Sequence, residues 1–356
     1  MLFYGAFVPP GMRHFYSVII QYEKERNTMK RKLLVLLLGL SMIMMFAFAT
    51  GCSKQESEPE EAETEEAAEA EDDENYDTGD ASLDNPRNQD EIGENELLVV
   101  SFGTSFNDSR RLTIGAVEQA IEDAVGDDWS VRRGFTAQII IDHIMKRDNV
   151  KIDNVKEALD RAVDNGVKTL VVQPTHLMNG IEYDELKESL AGYADSFEKV
   201  AVGDPLLTSD EDFSRVADAM IDVTKDYDDG ETAIVFMGHG TEAESNAIYE
   251  KMQGVMKDKG MDNYYIGTVE ASPSLEDVLA EVGKGEYKRV ILRPMMVVAG
   301  DHANNDMADP EDPESWYSQF KAAGYDVECV LEGLGQVPAV QKIYAEHAQA
   351  AIDSLK

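Results

Sequence analysis

From residue 97 onward the chain alternates short apolar runs with amphipathic stretches. Leu97-Leu-Val-Val-Ser-Phe shows no polar alternation, as expected of a strand buried on both faces. Ser109 to Val125 places apolar residues at helical spacing, Val131 to Thr136 reads as a strand, and Asn154 to Asn165 as a helix. Thr169-Leu-Val-Val-Gln is a third strand, Tyr183 to Phe197 a helix, and Val200-Ala-Val a fourth strand. The same order returns in the second half. Strands are expected at Ala233 to Phe236, Tyr264 to Val269, Arg289 to Val298 and Val327 to Leu331. Helices are expected at Ser245 to Lys257, Leu275 to Val282 and Trp316 to Ala323, with Gln336 to Ser354 closing the chain. Alternating strands and helices imply α/β lobes with parallel sheets and crossover helices.

The two halves also match residue by residue. Gly103-Thr104 after the first strand lies on Gly240-Thr241, which sets Phe102 opposite His239. Leu170-Val-Val-Gln-Pro-Thr-His-Leu-Met-Asn-Gly-Ile-Glu182 lies on Val290-Ile-Leu-Arg-Pro-Met-Met-Val-Val-Ala-Gly-Asp-His302. Pro174 then falls on Pro294, Gly180 on Gly300, and Glu182 on His302. This pattern is an internal duplication, with two similar lobes and a cleft between them.

Before residue 97 the pattern changes. Met29-Lys-Arg-Lys is a basic start, Leu33 to Ala49 an apolar run of 17 residues, and Ala49-Thr-Gly-Cys52 a lipoprotein processing box. The expectation is a leader over 1–52, initiating at Met29, whose Cys52 is lipidated and anchors the protein outside the cytoplasm. An uncleaved span is the alternative, at the short limit of length. Ser53 to Glu96 holds 19 acidic residues against Lys54 and Arg87, a large share of the net charge of −38. Such a stretch cannot bury a core, so 53–95 is expected to be a disordered spacer. Without a basic face, nucleic acid is excluded as a partner. Cys329, the only other cysteine, sits in a strand-like run and is expected to be a small buried residue.

In an open α/β sheet, ligands bind beyond the carboxyl ends of the strands. Three second-half strands end there on Met237-Gly-His239-Gly-Thr, Thr268-Val-Glu270 and Ala299-Gly-Asp-His302. Two imidazoles and a carboxylate suit a divalent ion such as Co²⁺, Fe²⁺, Ni²⁺ or Zn²⁺. His176 follows Pro174-Thr and is expected to orient substrate or structure, since its duplicate is Met296. His143 and His347 read as packing or surface residues, and His14 falls in the leader.

Val99-Val-Ser-Phe-Gly-Thr-Ser, Arg133-Gly-Phe-Thr-Ala, Val172-Gln-Pro-Thr-His, Met237-Gly-His-Gly-Thr, Thr268-Val-Glu-Ala-Ser-Pro and Arg293-Pro-Met-Met-Val-Val-Ala-Gly-Asp-His-Ala resemble the motifs of anaerobic cobalt chelatases of the CbiK type, class II chelatases. The resemblance runs from Leu97 to about Ile352. It implies two flavodoxin-like lobes, at 96–207 and 208–335, with 336–356 packing back on them. It also implies insertion of Co²⁺ into sirohydrochlorin with release of two protons, and no organic cofactor. His239, Glu270 and His302 would be the catalytic and metal-binding residues, one histidine also accepting a proton. The substrate is a polycarboxylate, so positive or polar partners are needed in an acidic protein. The candidates are Arg110, Arg133, Arg293, Thr104 and His176, with Arg111 and Arg132 as further cations. A lipoprotein leader departs from the cytoplasmic cobalamin enzymes of this group. It leaves two rival readings: an extracytoplasmic carrier of tetrapyrrole or metal on a chelatase scaffold, and a chelatase for Fe²⁺ or Ni²⁺. The pattern leaves a homo-oligomer open.

Overall fold

A computed structural model describes residues 78–356. The leader, Cys52, His14 and the spacer up to residue 77 lie outside the described residues. Strands β1 (Asn95–Ser101), β2 (Ser130–Phe135), β3 (Thr169–Pro174) and β4 (Lys199–Val202) form one sheet in the order β2-β1-β3-β4. Strands β5 (Thr232–Gly238), β6 (Tyr264–Thr268), β7 (Arg289–Pro294) and β8 (Asp326–Cys329) repeat that order as β6-β5-β7-β8. Every strand pair is parallel. The duplication extends to register: Val100 lies between Gly134 and Pro174, and its counterpart Met237 between Gly267 and Pro294.

The first lobe carries α1 (Asn107–Leu112), α2 (Ile114–Val125), α3 (Gln138–Asp148), α4 (Val155–Asp164) and α5 (Ile181–Ala191). The stretch expected as one helix from Ser109 breaks at Thr113, whose hydroxyl donates to the Ser109 carbonyl, a bond that competes with the helical ladder. After β4 comes α6 (Asp210–Asp222), a helix absent from the pattern reading. Its signal was a capping box, in which Ser209 and Asp212 satisfy each other's backbone amides. The second lobe adds α7 (Ala247–Asp258), α8 (Leu275–Val282) and α9 (Trp316–Ala322), and α10 (Pro338–Asp353) ends the chain. The strand expected to reach Val298 leaves the sheet after Pro294, and the carbonyls of Met296 and Val297 accept from Leu334 and Gly335 instead.

Helix α10 packs on α2 and β3 of the first lobe and on α6. It buries Val340, Ile343, Tyr344, Ala348 and Ile352 in a core that also holds Leu97 and Val99 of β1 and Ile234 and Phe236 of β5. One apolar core therefore spans both lobes and fixes their mutual position. Each large side chain buried there contributes on the order of 1.5–3 kcal/mol.

The spacer prediction needs correcting. Residues 78–94 are ordered against the first lobe. Asp84 there is buried and accepts from Arg110 and Arg133, while Arg87 reaches Glu118 and Glu122. The negative charge that composition assigns to a solvated tail here neutralises guanidinium groups inside the lobe.

Candidate metal and tetrapyrrole site

Three turns at the carboxyl ends of β5, β6 and β7 meet. His239 follows β5 between two glycines, and both are required. A methyl on Gly238 would fall 2.1 Å from the buried Tyr249 ring, and one on Gly240 (φ +90°) within 2.9 Å of Thr268 and Ala271. The turn closes so tightly that the Gly240 amide donates to the Tyr249 hydroxyl at 3.2 Å. Beyond β6, Val269 and Glu270 donate backbone amides to the Gly238 and His239 carbonyls, which places the Glu270 side chain beside the imidazole. Past β7, His302 opens a π-helical turn, Ala303–Met307, a geometry often found at functional sites.

The result is a compact donor set. His239 and His302 stand edge to face with ring centres 4.6 Å apart. His239 Nε2 lies 3.7 Å from Glu270 Oε1. One ligand atom from each of the three residues lies within 4.8 Å of the others. All three side chains are partly open to solvent, so an ion can enter and leave.

Hydrogen bonds set the tautomers. His239 Nδ1 lies 2.8 Å from the Gly240 carbonyl, which can only accept, so the proton is on Nδ1. His302 Nδ1 donates to Asp306 Oδ2 at 2.8 Å. With Nδ1 so engaged, Nε2 is the ring nitrogen each histidine has available for an ion. Asp306, which sequence reasoning missed, also raises the basicity of His302, the usual task of a carboxylate behind a ligating histidine. Its one signal was the spacing, four residues beyond His302 on a helical turn.

The other expected site residues lie elsewhere than the cleft surface. Arg110 and Arg133 are fully buried and committed, Arg110 to Asp84 and Arg133 to Asp84 and Glu118. Arg132 is equally buried against Glu96 and Asp153. Arg293 is buried and donates to Glu332 at 2.9 Å. Arg111 is on the surface with Asp108. Thr104 is a buried contact between lobes, beside Gly300. As placed here, none of Arg110, Arg132, Arg133 and Arg293 offers a free guanidinium to a substrate carboxylate, because burial obliges each to pair inside the protein. His176 is buried, and burial pushes its imidazole down to about 4, so it is neutral at ordinary pH. His347 bonds Asp204 and Asp212, the packing role expected of it. Burial lifts the Cys329 thiol up to about 12, so the group is unreactive.

Comparison with known proteins adds four findings. The model of the cobalt chelatase (CbiK) family matches residues 95–353. The sirohydrochlorin cobaltochelatase of Salmonella typhimurium is 33% identical over 257 residues, covering 72% of this chain and 96% of that protein. The sirohydrochlorin cobaltochelatase CbiKC of Nitratidesulfovibrio vulgaris is 30% identical over 261 residues, covering 73% and 91%. Among solved structures, SirB from Bacillus subtilis aligns with a TM-score of 0.52 at 15% identity over 74% of this chain and 97% of that one, a likeness of fold alone.

Proposed function

This chain belongs to the cobalt chelatase (CbiK) family, and from that premise we infer that it is a sirohydrochlorin cobaltochelatase. The observation that carries the reading is the convergence of His239, Glu270 and His302, with the Nδ1 atom of each imidazole engaged by an acceptor and Nε2 left to face the site. Metal insertion asks for a site that holds a divalent ion through few ligands and then gives it up to four ring nitrogens. Two neutral imidazoles and one carboxylate, on a partly open surface, meet that need. The ligand set does not single out one metal, so the preference for Co²⁺ rests on the family. Wild-type protein, assayed anaerobically with metal-free sirohydrochlorin, is expected to insert Co²⁺, read as the shift of the tetrapyrrole absorption bands. Tight tetrapyrrole binding without turnover for Co²⁺, Fe²⁺ or Ni²⁺ would replace the enzyme by a carrier.

The leader motif supports a second proposal, that the enzyme is held outside the cytoplasm by a lipid on Cys52. The support is the order of basic start, apolar run and Ala-Thr-Gly-Cys box. Cys52→Ser is then expected to move the protein out of the detergent-soluble membrane fraction or to block its processing. A variant retained in the membrane fraction like the wild type, with the leader uncut in both, points instead to an uncleaved helix.

A further inference from the structure

The duplication makes the cleft unequal. Its loops meet reciprocally: a methyl placed on Gly180 would sit 3.5 Å from Ser245 Oγ, and one on Gly300 would sit 2.9 Å from Thr104 Oγ1. The carboxyl-end loops of each sheet thus abut those of the other. At the two places where the second lobe presents His239 and His302, the first lobe presents Phe102 and Glu182. Phe102 is a large apolar side chain left 48% exposed just beyond β1. Glu182 stands in the first turn of α5, its side chain about half-exposed, with Oε2 3.5 Å from His176 Nε2. His176 is more than nine-tenths buried, and neither ring nitrogen has a hydrogen-bond partner. Leaving a buried imidazole unpaired is costly, so its position calls for a reason.

We propose that Glu182 is the proton acceptor for metal insertion, acting from the first-lobe wall while His239, Glu270 and His302 deliver the metal from the other, with His176 as its positioning residue. The proposal rests on the chelatase reading above. A flat macrocycle between the lobes shows one face to the imidazoles and the other to Phe102 and Glu182. An N–H bond of the ring breaks, its proton passes to the Glu182 carboxylate, and the freed nitrogen lone pair takes the divalent ion. Solvent then receives the proton through the open side of Glu182, and the second N–H repeats the step. No oxidant or reductant is involved. Neutral His176, 3.5 Å behind the carboxylate, is positioned to donate to it when the two close and so to aim it, rather than competing for the proton. Burial and the neighbouring charge of Glu185 raise the Glu182 carboxyl above its ordinary range, which brings it closer to a working general base. Separating the two tasks leaves both histidine Nε2 atoms free for the metal.

The test uses the full chain, metal-free sirohydrochlorin and Co²⁺. Glu182→Gln keeps the shape and removes the base. It is expected to lower kcat about 10²-fold, the low end for loss of general base catalysis, with KM for the tetrapyrrole and the Co²⁺ affinity unchanged. Glu182→Asp should recover part of the rate. His176→Leu should lower kcat with KM unmoved, and His176→Gln, which keeps a donor, should restore much of it. Wild-type kcat in Glu182→Gln, or a loss confined to KM, would overturn the proposal and leave the chelatase reading standing. A wild-type protein without turnover would overturn both.

Discussion

His302→Ala and His239→Ala are each expected to reduce Co²⁺ insertion by at least on the order of 10- to 100-fold, the scale of losing even a hydrogen-bond partner of a metal ligand, let alone the ligand itself. Each variant removes one of only two nitrogen donors in a three-residue set spanning 4.8 Å. The remaining imidazole and Glu270 then hold the ion through two ligands. Folding should be spared. Both side chains are partly exposed at turn positions, where substitutions change stability by only about 0.5 kcal/mol. The same anaerobic assay gives the rate, and calorimetric Co²⁺ titration gives the affinity. If both variants bound Co²⁺ and turned over like the wild type, the metal site would have to lie elsewhere.

Arg133→Met is expected to cost about 3–5 kcal/mol of stability, the penalty for breaking a buried charge network from one side. Arg133 has no solvent exposure and donates to two carboxylates, Glu118 at 2.7 Å and Asp84 at 2.6 Å. Its loss leaves Glu118 with Arg87 alone and Asp84 with Arg110 alone, both still buried. The strap of residues 78–94 should loosen together with the lobe. The checks are the urea midpoint and the rate of proteolytic cutting within that strap. A midpoint unchanged from wild type would show that the network is dispensable. The acid dependence follows from Asp84. Burial pushes its carboxyl up, but Arg133 and Arg110 outweigh that and hold it below the usual carboxylate range. A depressed folded value stabilises fully above the unfolded value, about pH 4, and the stabilisation fades as pH falls through the folded value. Arg133→Met should therefore also weaken the acid sensitivity of the fold below about pH 4.

Much of the site could be read from the chain because it follows backbone rules. His239, Glu270 and His302 each end a strand run, and parallel strands deliver their carboxyl ends to one edge. Gly238 and Gly240 flank His239 because the turn admits no Cβ, and that requirement is written as Gly-His-Gly. Asp306 was harder to find, since a lone acid four residues along a turn matches many surface pairs. The arginines were misplaced for a different reason. Sequence gives a guanidinium its charge but not its partner, and Arg110, Arg133 and Arg293 found theirs in Asp84, Glu118 and Glu332, far along the chain or across a strand.

The sequence by itself determined the two α/β lobes, their duplication and the three residues that the structure brings together as a candidate metal site. These follow from local periodicity and from matched turns, which depend on neighbours a few residues away. Only the tertiary structure decided that residues 84–87 belong to the first lobe, that the arginines neutralise its interior, and that His176 backs Glu182. Those outcomes depend on which charges share a buried volume. In such a volume the cost of leaving a charge unpaired sets the arrangement, and no pattern along the chain records it.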